Sequence, residues 1–277
     1  MSSPCVYLLA NDRVRDQAVA WLRALRRHEP RLDVVLIPFD ERFERLMDDL
    51  RRVEASAGRI QVYPALELLD WAERLVQQHL PQIQHPARLR CLAAWLGPSE
   101  RFLYSDADLL LLQDVRWLLD PLEEHDFVVS DYQHKTGLTN VFRESMKSSG
   151  LLAPGRPEDV FNGGLWASTQ GLFSEDDLEE GIRAAGRAAQ HLDLAGGLSA
   201  QPVLNFLVLR RTVPHNLTRA DSNEPGSWAG SPHFRRSGET LYDGDRPLRY
   251  LHWAGQPIGE GGPYWDVWSR FAGSTEP

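Results

Sequence analysis

The alternation of short apolar segments with amphipathic segments constrains the fold of this chain more than any other feature. Apolar runs occur at residues 5–10, 34–38 and 102–112, and residues 59–63 are also typical of a strand. Between them, apolar residues recur three or four positions apart, as Ala18, Leu22 and Leu25 do in the first interval, which is typical of helices. Short buried strands that alternate with helices predict a mostly parallel sheet flanked by helices, with right-handed crossovers. The sequence therefore predicts an α/β fold.

The second half of the chain is less regular and carries two long loop-like stretches. Further strands are predicted at residues 126–130, 160–168 and 248–253. A helix is predicted from about residue 175 to residue 192. Residues 132–159 and 214–238 are rich in residue types that favour loops, and long loops in compact proteins are often functional. Because no internal repeat or clear linker interrupts the pattern, we expect one domain over residues 1–277.

The composition restricts the classes of function. The chain has 277 residues, of which 42% are hydrophobic and 25% are charged, as in ordinary globular proteins. Its 39 acidic and 30 basic residues give a formal net charge of −9. This balance disfavours nucleic acid as a partner, because nucleic-acid binding requires excess positive charge. The two cysteines, Cys5 and Cys91, have no spacing typical of a disulfide framework or a metal–thiolate site.

The distribution of apolar residues bears on cellular location. No stretch approaches the ~20 apolar residues that span a bilayer. The first residues lack a basic region, and the apolar run at residues 5–10 is too short for a signal peptide. We therefore expect a cytoplasmic protein without a transmembrane segment, for which peripheral membrane contact and assembly into a homo-oligomer stay open.

Two carboxylates, Asp106 and Asp108, interrupt the apolar run at residues 102–112. Side chains two residues apart in an extended segment point to the same side, so the two acids can converge on one point. The carboxyl ends of parallel strands are also where open α/β sheets bind ligands. Two anions this close repel each other unless a cation lies between them, and hard divalent cations bind carboxylate oxygens and substrate phosphates. The alternative interpretation is a polar turn, because Asp is common in turns.

Four motifs follow one another in a fixed order along the chain. They are Asp106-Ala107-Asp108, Phe161-Asn162-Gly163-Gly164-Leu165-Trp166, Gln201-Pro202-Val203-Leu204-Asn205 and His252-Trp253-Ala254-Gly255. With these motifs the sequence resembles the nucleotide-sugar-dependent glycosyltransferases of the GT-A fold. It is most similar to family 8, which contains glycogenin and the bacterial lipopolysaccharide α-galactosyltransferases. The resemblance covers roughly residues 6–255. It implies the GT-A fold and transfer of a sugar from a nucleotide-diphosphate donor, expected to be a UDP-sugar.

The resemblance also implies a divalent metal site. Asp106 and Asp108 are the expected ligands, and His252 matches the third ligand of the family. A cation held there would neutralise charge on the diphosphate as the glycosidic bond breaks. Because imidazole is a better ligand for Mn²⁺ than for Mg²⁺, this ligand set favours manganese, with magnesium as the alternative. The other interpretation of His252 is a hydrogen-bonded histidine beside Trp253.

Several polar residues match family positions that contact the nucleotide sugar. Arg88 lies where the family places an arginine, on the helix before the Asp-x-Asp strand, although Arg90 is an equally visible candidate. A guanidinium suits phosphates and sugar hydroxyls through its planar fork. Asn11 and Asp12 end the first strand, where family members bind the nucleobase and ribose, and the position agrees with the general rule for α/β sheets. An Asx turn into the first helix is the alternative.

A glycine-containing segment and one further glycine complete the predicted donor site. Asn162, Gly163 and Gly164 match the Phe-Asn-Ala-Gly segment of the family. Glycines let the backbone approach a ligand closely, and Asn can exchange hydrogen bonds with sugar hydroxyls. A bulge in a strand is the alternative. Gly255 belongs to the motif that begins with His252, and it is predicted to contact the donor as well.

Two residues are predicted to take part in the reaction itself. By resemblance the anomeric configuration is retained, and Gln201 would line the face where the nucleophile approaches. A carboxamide is too weak a base for conventional general-base catalysis, so a donor-phosphate oxygen is the expected proton acceptor. Asp131 follows a predicted strand at the place where a family carboxylate reaches the sugar-binding cleft. An ordinary loop acid is the alternative for Asp131.

The chain departs from the family pattern at two positions. Ala200 replaces the Asp of an Asp-Gln pair that contacts the transferred sugar, which leaves the donor sugar open. Ile258 stands where the family has a lysine that grips the diphosphate. The loss of this cation weakens leaving-group stabilisation unless an arginine substitutes, and three arginines are candidates: Arg235, Arg236 and Arg249.

These departures motivate a second interpretation, a catalytically weak or inactive sugar-nucleotide-binding protein of the same fold. A third is a phosphatase or phosphotransferase with an Asp-x-Asp nucleophile pair, as in the haloacid dehalogenase class. That class requires the motif after the first strand, with Thr or Val two residues beyond the second Asp, whereas Asp106 lies far into the chain and Leu110 occupies that position. The leading expectation is a glycosyltransferase whose acceptor is a glycan, lipid or small molecule. Its hydroxyl would enter beneath the loops at residues 132–159 and 214–238.

Overall fold

A computed structural model of the protein describes residues 3–54, 59–195 and 200–273. The strands are β1 (Cys5–Ala10), β2 (Asp33–Pro38), β3 (Ile60–Val62), β4 (Arg101–Asp106), β5 (Leu109–Leu111), β6 (Phe127–Val129), β7 (Leu165–Thr169), β8 (His215–Asn216), β9 (Arg235–Ser237), β10 (Thr240–Asp243), β11 (Arg246–Pro247) and β12 (Tyr250–His252). The α-helices are α1 (Arg15–His28), α2 (Glu44–Val53), α3 (Leu66–His79), α4 (Arg116–Leu119), α5 (Glu175–Arg187), α6 (Gln201–Arg211), α7 (Leu217–Ala220) and α8 (Trp265–Ala272).

Seven strands form the central sheet in the order β3-β2-β1-β4-β7-β6-β8. Neighbours among β3, β2, β1 and β4 are parallel, as are β6 and β8. β7 is antiparallel to both of its neighbours, β4 and β6. Six strands therefore run in one direction and β7 runs against them. The predicted α/β fold with a mostly parallel central sheet and flanking helices is confirmed.

The central sheet separates two hydrophobic cores. Along β1, Cys5 and Tyr7 lie in one core, whereas Val6 and Leu8 lie in the other. Helices α3, α5 and α6 complete the first core, and α1 and α2 complete the second. Successive side chains of a strand point to opposite faces, so a strand covered by helices on both sides is apolar throughout. This explains the continuous apolar runs in the sequence.

The carboxyl-terminal part of the chain adds two small sheets. β9, β10 and β11 form an antiparallel sheet, and β12 pairs antiparallel with β5. In the second pair, His252 lies opposite Leu109. Helices α1 and α8 contribute to a third core, which includes Trp253 and Trp268. The β5–β12 pair fixes the carboxyl-terminal segment against the end of β4.

Two predicted strands have different limits in the structure. The strand predicted at residues 160–168 begins only at Leu165, so residues 162–164 lie in the turn before β7. The turn forms because the side chain of Asn162 accepts a hydrogen bond from the backbone two residues later, an alternative to strand pairing. The apolar run at residues 102–112 contains two strands, β4 and β5, with a bend at residues 107–108 between them.

Other segments also differ from the sequence prediction. The segment Pro86–Leu96 is a 3-10 helix; its apolar residues Leu89 and Leu92 are three apart, which fits 3.0 as well as 3.6 residues per turn. The predicted helix at 175–192 ends as an α-helix at Arg187 and continues as a 3-10 turn. β8 and β9 both lie in the stretch predicted as loop at 214–238. No helix among residues 3–54, 59–195 and 200–273 is both long and apolar enough to cross a membrane.

Candidate active site

A cavity of about 520 Å³ lies at the edge of the central sheet where β1 and β4 end. Polar groups from distant parts of the chain line it, including Asn11 after β1, Asp106 at the end of β4, Gln201 at the start of α6 and His252 in β12. This is the edge at which parallel α/β sheets bind ligands, because loops from several strands meet there. The cavity is therefore the candidate active site.

Three side chains in the cavity wall can share one cation. Each of Asp106, Asp108 and His252 offers a ligand atom, and the three atoms lie within 4.8 Å of one another. The backbone explains the convergence, since β4 ends at Asp106 and the carbonyl of Asp108 accepts a hydrogen bond from the N–H of Trp253 at 2.9 Å. With Leu109 opposite His252, the imidazole is held beside the acid pair. The Asp-x-Asp motif stands at the end of the fourth strand of the chain. This position disfavours the phosphatase interpretation, because that class has its motif after the first strand.

The three groups perturb one another electrostatically. Burial, and then the nearby charge of Asp108, raise the pKa of Asp106 to about 6. The hydroxyl of Tyr104 opposes this shift, because it donates a hydrogen bond to Oδ1 of Asp106 at 2.6 Å. Burial is the largest influence on the pKa of Asp108 and would raise it, but the charge and hydrogen bonding of His252, together with the charge of Arg88 and a backbone hydrogen bond, outweigh burial and lower that pKa. The same pairing raises the pKa of His252 although burial alone would lower it.

The site fits a divalent cation. Oδ1 of Asp108 is buried and lies 3.3 Å from Nε2 of His252, yet it has no well-aligned hydrogen-bond partner. A buried carboxylate oxygen without a donor is costly, and a cation would satisfy it. Two carboxylates and one imidazole leave coordination positions for substrate oxygens, as in magnesium and manganese sites.

The turn at residues 162–164 makes room for the imidazole. A side chain at Gly164 would place its Cβ 2.4 Å from Cε1 and 2.8 Å from Nε2 of His252, which is too close for any real contact. The N–H of Gly164 donates to Oδ1 of Asn162 at 2.9 Å, and that of Gly163 donates to Oε1 of Gln201 at 3.3 Å. Only glycine at position 164 therefore permits the observed position of His252.

A buried asparagine that the sequence analysis assigned no role holds this turn against α6. Asn205 is fully buried; its Oδ1 accepts from the N–H of Phe161 at 2.9 Å, and its Nδ2 donates to the carbonyls of Phe161 and Gln201 at 2.8 and 3.0 Å. These bonds satisfy backbone groups that would otherwise be buried without partners. In the sequence, a polar residue within the apolar segment at residues 203–209 could have indicated that Asn205 has a structural role.

The structure distinguishes the two arginine candidates on the 3-10 helix before β4. Arg90 is buried, and its guanidinium is engaged by Glu73 at 2.9 Å, by Asp70 at 3.1 Å and by the carbonyl of Pro38 at 2.8 Å. Arg88 is exposed and lines the cavity, and its charge lowers the pKa values of the acid pair. Of the two, Arg88 is the one available to a ligand.

The two residues after β1 have different environments. Asn11 lines the cavity, its Oδ1 accepts from the N–H of Arg13 at 3.0 Å, and its Nδ2 donates to Asp40 at 2.9 Å. The carboxylate of Asp12 accepts from the N–H of Leu46 at 2.8 Å, in the first turn of α2, and Asp12 lies outside the set of cavity-lining residues. The structure thus gives Asp12 a helix-capping contact.

Asp131 is buried behind the cavity wall and is not one of its lining residues. Its Oδ1 accepts from the N–H of Gln133 at 2.8 Å, whereas Oδ2 is buried without a hydrogen-bond partner. Burial raises the pKa of Asp131 to about 7. Its charge also contributes to the raised pKa of His252, so the two groups are electrostatically linked.

The arginines predicted to replace the missing lysine are engaged elsewhere. Arg249 pairs with Glu224 at 3.0 Å, Arg236 pairs with Asp266, and Arg235 lies over the ring of Tyr242 at 4.8 Å. None of the three lines the cavity, and Ile258 packs against the third core.

Other cationic and polar groups line the cavity that the sequence analysis did not single out. They are Arg13, Gln17 and His85, together with Tyr104, which supports Asp106. Tyr104 and Asp106 are two residues apart in β4, so their side chains share a face. The contact between them could therefore have been predicted from the sequence. Ala200, Gly255 and Gly163 also line the cavity.

Comparison with known proteins identifies the fold. No protein-family model and no curated protein sequence matches the chain. Its structure is similar to the bifunctional glycosyltransferase WbbM, with 12% identity and a TM-score of 0.65 over 99% of this chain and 50% of WbbM. It is also similar to the galactosyltransferase LgtC in complex with donor and acceptor sugar analogues, with 15% identity and a TM-score of 0.60 over 98% and 96% of the two chains. A third similar structure is mouse xyloside xylosyltransferase 1, with 12% identity and a TM-score of 0.57 over 78% of this chain and 85% of that protein.

These similarities confirm the predicted GT-A glycosyltransferase fold. At such low identity they establish the fold and not the membership of a particular family, so the assignment to family 8 stays a prediction. The chain spans half the length of WbbM but nearly all of LgtC.

Proposed function

We propose that this protein is a metal-dependent glycosyltransferase that moves a sugar from a nucleotide-diphosphate donor, preferentially a UDP-sugar, to an acceptor hydroxyl, with retention of configuration. One observation carries the proposal: the ligand atoms of Asp106, Asp108 and His252 lie within 4.8 Å of one another in the wall of a cavity at the ligand-binding edge of the sheet. The fold shared with known glycosyltransferases supports it. We assign the whole chain to one catalytic domain, with a glycan, lipid or small molecule as acceptor.

The three side chains would hold Mn²⁺ in preference to Mg²⁺, because one ligand is an imidazole. A cation bound there would neutralise charge on the departing diphosphate. Asp106 and Asp108 bind in their ionised form. Because burial and repulsion by Asp108 raise the pKa of Asp106 to about 6, binding is expected to weaken as the pH falls through that value.

Two guanidinium groups of the cavity wall would take over the role of the lysine that Ile258 replaces. Arg13 and Arg88 line the cavity, are exposed, and have planar forks that suit phosphate oxygens. Arg13 follows Asn11, which would contact the base or ribose, so Arg13 reaches the nucleotide from the β1 side. Arg88 reaches it from the side of the acid pair.

Gln201 would position the reacting sugar and not remove a proton. Its Oε1 already accepts from the N–H of Gly163, and a carboxamide is too weak a base to deprotonate a hydroxyl. Ala200 presents only a methyl group to the cavity, so no carboxylate is available there. The proton of the acceptor hydroxyl would pass to a donor-phosphate oxygen, while Asn162 and Gln201 hold the transferred sugar.

The test measures nucleotide release from a panel of UDP-, GDP- and ADP-sugars with Mn²⁺, for the wild type and for Asp108→Ala. We expect the variant to lose activity by a factor of at least roughly 100, because the charge that stabilises the leaving group is lost with the ligand. Asp245→Ala, which removes an exposed carboxylate outside the cavity, is the matched control and should retain activity. Full activity of Asp108→Ala would refute the metal role.

A second candidate is a sugar-nucleotide-binding protein with little or no turnover. The observation that favours it is Ala200 in the cavity wall, where the family has a carboxylate that contacts the transferred sugar. Calorimetry that detects metal-dependent nucleotide binding, together with no product from any donor of the panel, would support this candidate over the transferase.

A further inference from the structure

An exposed tryptophan is attached to the cavity wall. Trp228 is 48% exposed, and its indole N–H donates to the carbonyl of Ala254 at 3.0 Å. Ala254 lines the cavity, as do its neighbours His252 and Gly255. The large apolar ring of Trp228 therefore stands beside the candidate active site, and none of the site's assigned roles uses it.

The backbone fixes the side of the wall on which this ring lies. Trp228 pairs with His252 in a parallel bridge, in which the N–H of His252 donates to the carbonyl of Ser227 at 2.7 Å and the N–H of Ala229 donates to the carbonyl of His252 at 2.8 Å. Residues paired across a bridge project to the same side. Trp228 thus projects on the side of His252, which lines the cavity.

One face of the ring is covered by backbone. A Cβ added to Gly230 would lie 2.3, 2.5 and 2.6 Å from Cζ2, Cη2 and Cε2 of Trp228. Nearly equal distances to three adjacent ring atoms place Gly230 over the face of the six-membered ring and not beside its edge. The ring is therefore held by Gly230 on one face and by its hydrogen bond to Ala254, and Trp228 is still 48% exposed.

We propose that Trp228 forms an acceptor subsite that binds the apolar face of a neutral pyranose ring. This inference rests on the proposed transferase function and names the acceptor class as a saccharide. A rigid aromatic ring buries much apolar area at little entropic cost, and the C–H face of a sugar ring supplies a matching surface. Trp228 pairs with His252 and is bonded to Ala254, both of which line the cavity, so a sugar stacked on its ring would lie beside the proposed donor site.

The test compares wild type, Trp228→Phe and Trp228→Leu by saturation-transfer NMR with lactose and maltose, in the presence of UDP and Mn²⁺. We expect signals from the sugar ring protons of at least one disaccharide in the wild type, a reduced effect in Trp228→Phe, and a roughly tenfold weaker affinity in Trp228→Leu. Val213→Ala is the control, since Val213 is similarly exposed at 51% and does not line the cavity.

Calorimetry with UDP and Mn²⁺ on the same variants separates this inference from the proposed function. If nucleotide binding is absent in the wild type, the proposed function fails, whereas the sugar signal reports on Trp228 independently. No disaccharide signal, or one that Trp228→Leu leaves unchanged, overturns the inference. A response of decyl maltoside through its alkyl chain, with none from maltose, also overturns it, because the surface would then bind an acyl chain.

Discussion

The substitution Gly164→Ala tests the position of His252 with a single methyl group. The added Cβ would lie 2.4 Å from Cε1 of His252, whereas carbon atoms in contact are roughly 3.5–4.0 Å apart. The imidazole must therefore move by about 1 Å or more. Gly164 has no positive φ, so alanine introduces no backbone strain there and the effect is steric. We expect a stability cost of about 1–3 kcal/mol from overpacking.

The larger effect of Gly164→Ala is expected on metal binding. Displacement of a ligand or its support typically weakens metal affinity by roughly 10–100-fold, which corresponds to about 1.4–2.7 kcal/mol. Calorimetric titration with Mn²⁺ gives the affinity directly, and the Mn²⁺-dependent rise in melting temperature checks it by mass action. Circular dichroism establishes that the variant is folded.

Gly163→Ala is the matched control for Mn²⁺ affinity. Its added Cβ would meet Cδ2 of Leu204 at 3.3 Å and Cα and Cβ of Gln201 only at 3.8 Å, so a shift of a few tenths of an ångström accommodates it. The same chemical change one residue earlier should thus leave Mn²⁺ affinity nearly unaltered. If folded Gly164→Ala binds Mn²⁺ within twofold of the wild type, the argument that the glycine positions the third ligand is wrong.

Two further predictions concern titration and the choice between arginines. Burial raises the pKa of Asp131 from 3.8 to about 7, so the native state binds more protons than the unfolded state between these values, and wild-type stability falls as the pH rises from about 4 to 7. Urea unfolding should show Asp131→Asn gaining about 4 kcal/mol relative to the wild type over this interval; parallel pH profiles of the two proteins would contradict it. Arg88→Gln should weaken UDP binding without lowering stability, whereas Arg90→Gln should destabilise the fold by about 1–3 kcal/mol, because it removes a buried guanidinium that pairs with Glu73 and donates to the carbonyl of Pro38. Calorimetry and urea unfolding of both variants check this, and equal effects on UDP binding would refute the distinction.

Local sequence patterns were sufficient to predict the first half of the fold. The apolar runs that became β1, β2 and β4 are buried on both faces, so their composition is set by the two cores and can be read without knowing the partners. The pair Asp106 and Asp108 was equally readable, because two charges inside an apolar run have few structural explanations.

Residues with two satisfactory explanations could not be separated by sequence. Asp12 at the end of β1 can bind a ribose or cap a helix, and the structure provides the cap through Leu46. Arg88 and Arg90 are two residues apart on one short helix. Only the positions of Glu73 and Asp70 on α3 determine that Arg90, and not Arg88, forms the ion pairs. Such decisions depend on packing between elements, which a pattern along the chain does not contain.

The third ligand shows the same limit most clearly. His252 is far from Asp108 in the chain, and β12 is only three residues long, so no local pattern specifies its partner. What specifies it is the register with β5, the hydrogen bond from Trp253 to the carbonyl of Asp108, and the absence of a side chain at Gly164. A shift of one residue in that register would turn the imidazole to the opposite face of the strand pair. The register of this short antiparallel pair therefore determines whether the chain has a metal site at all.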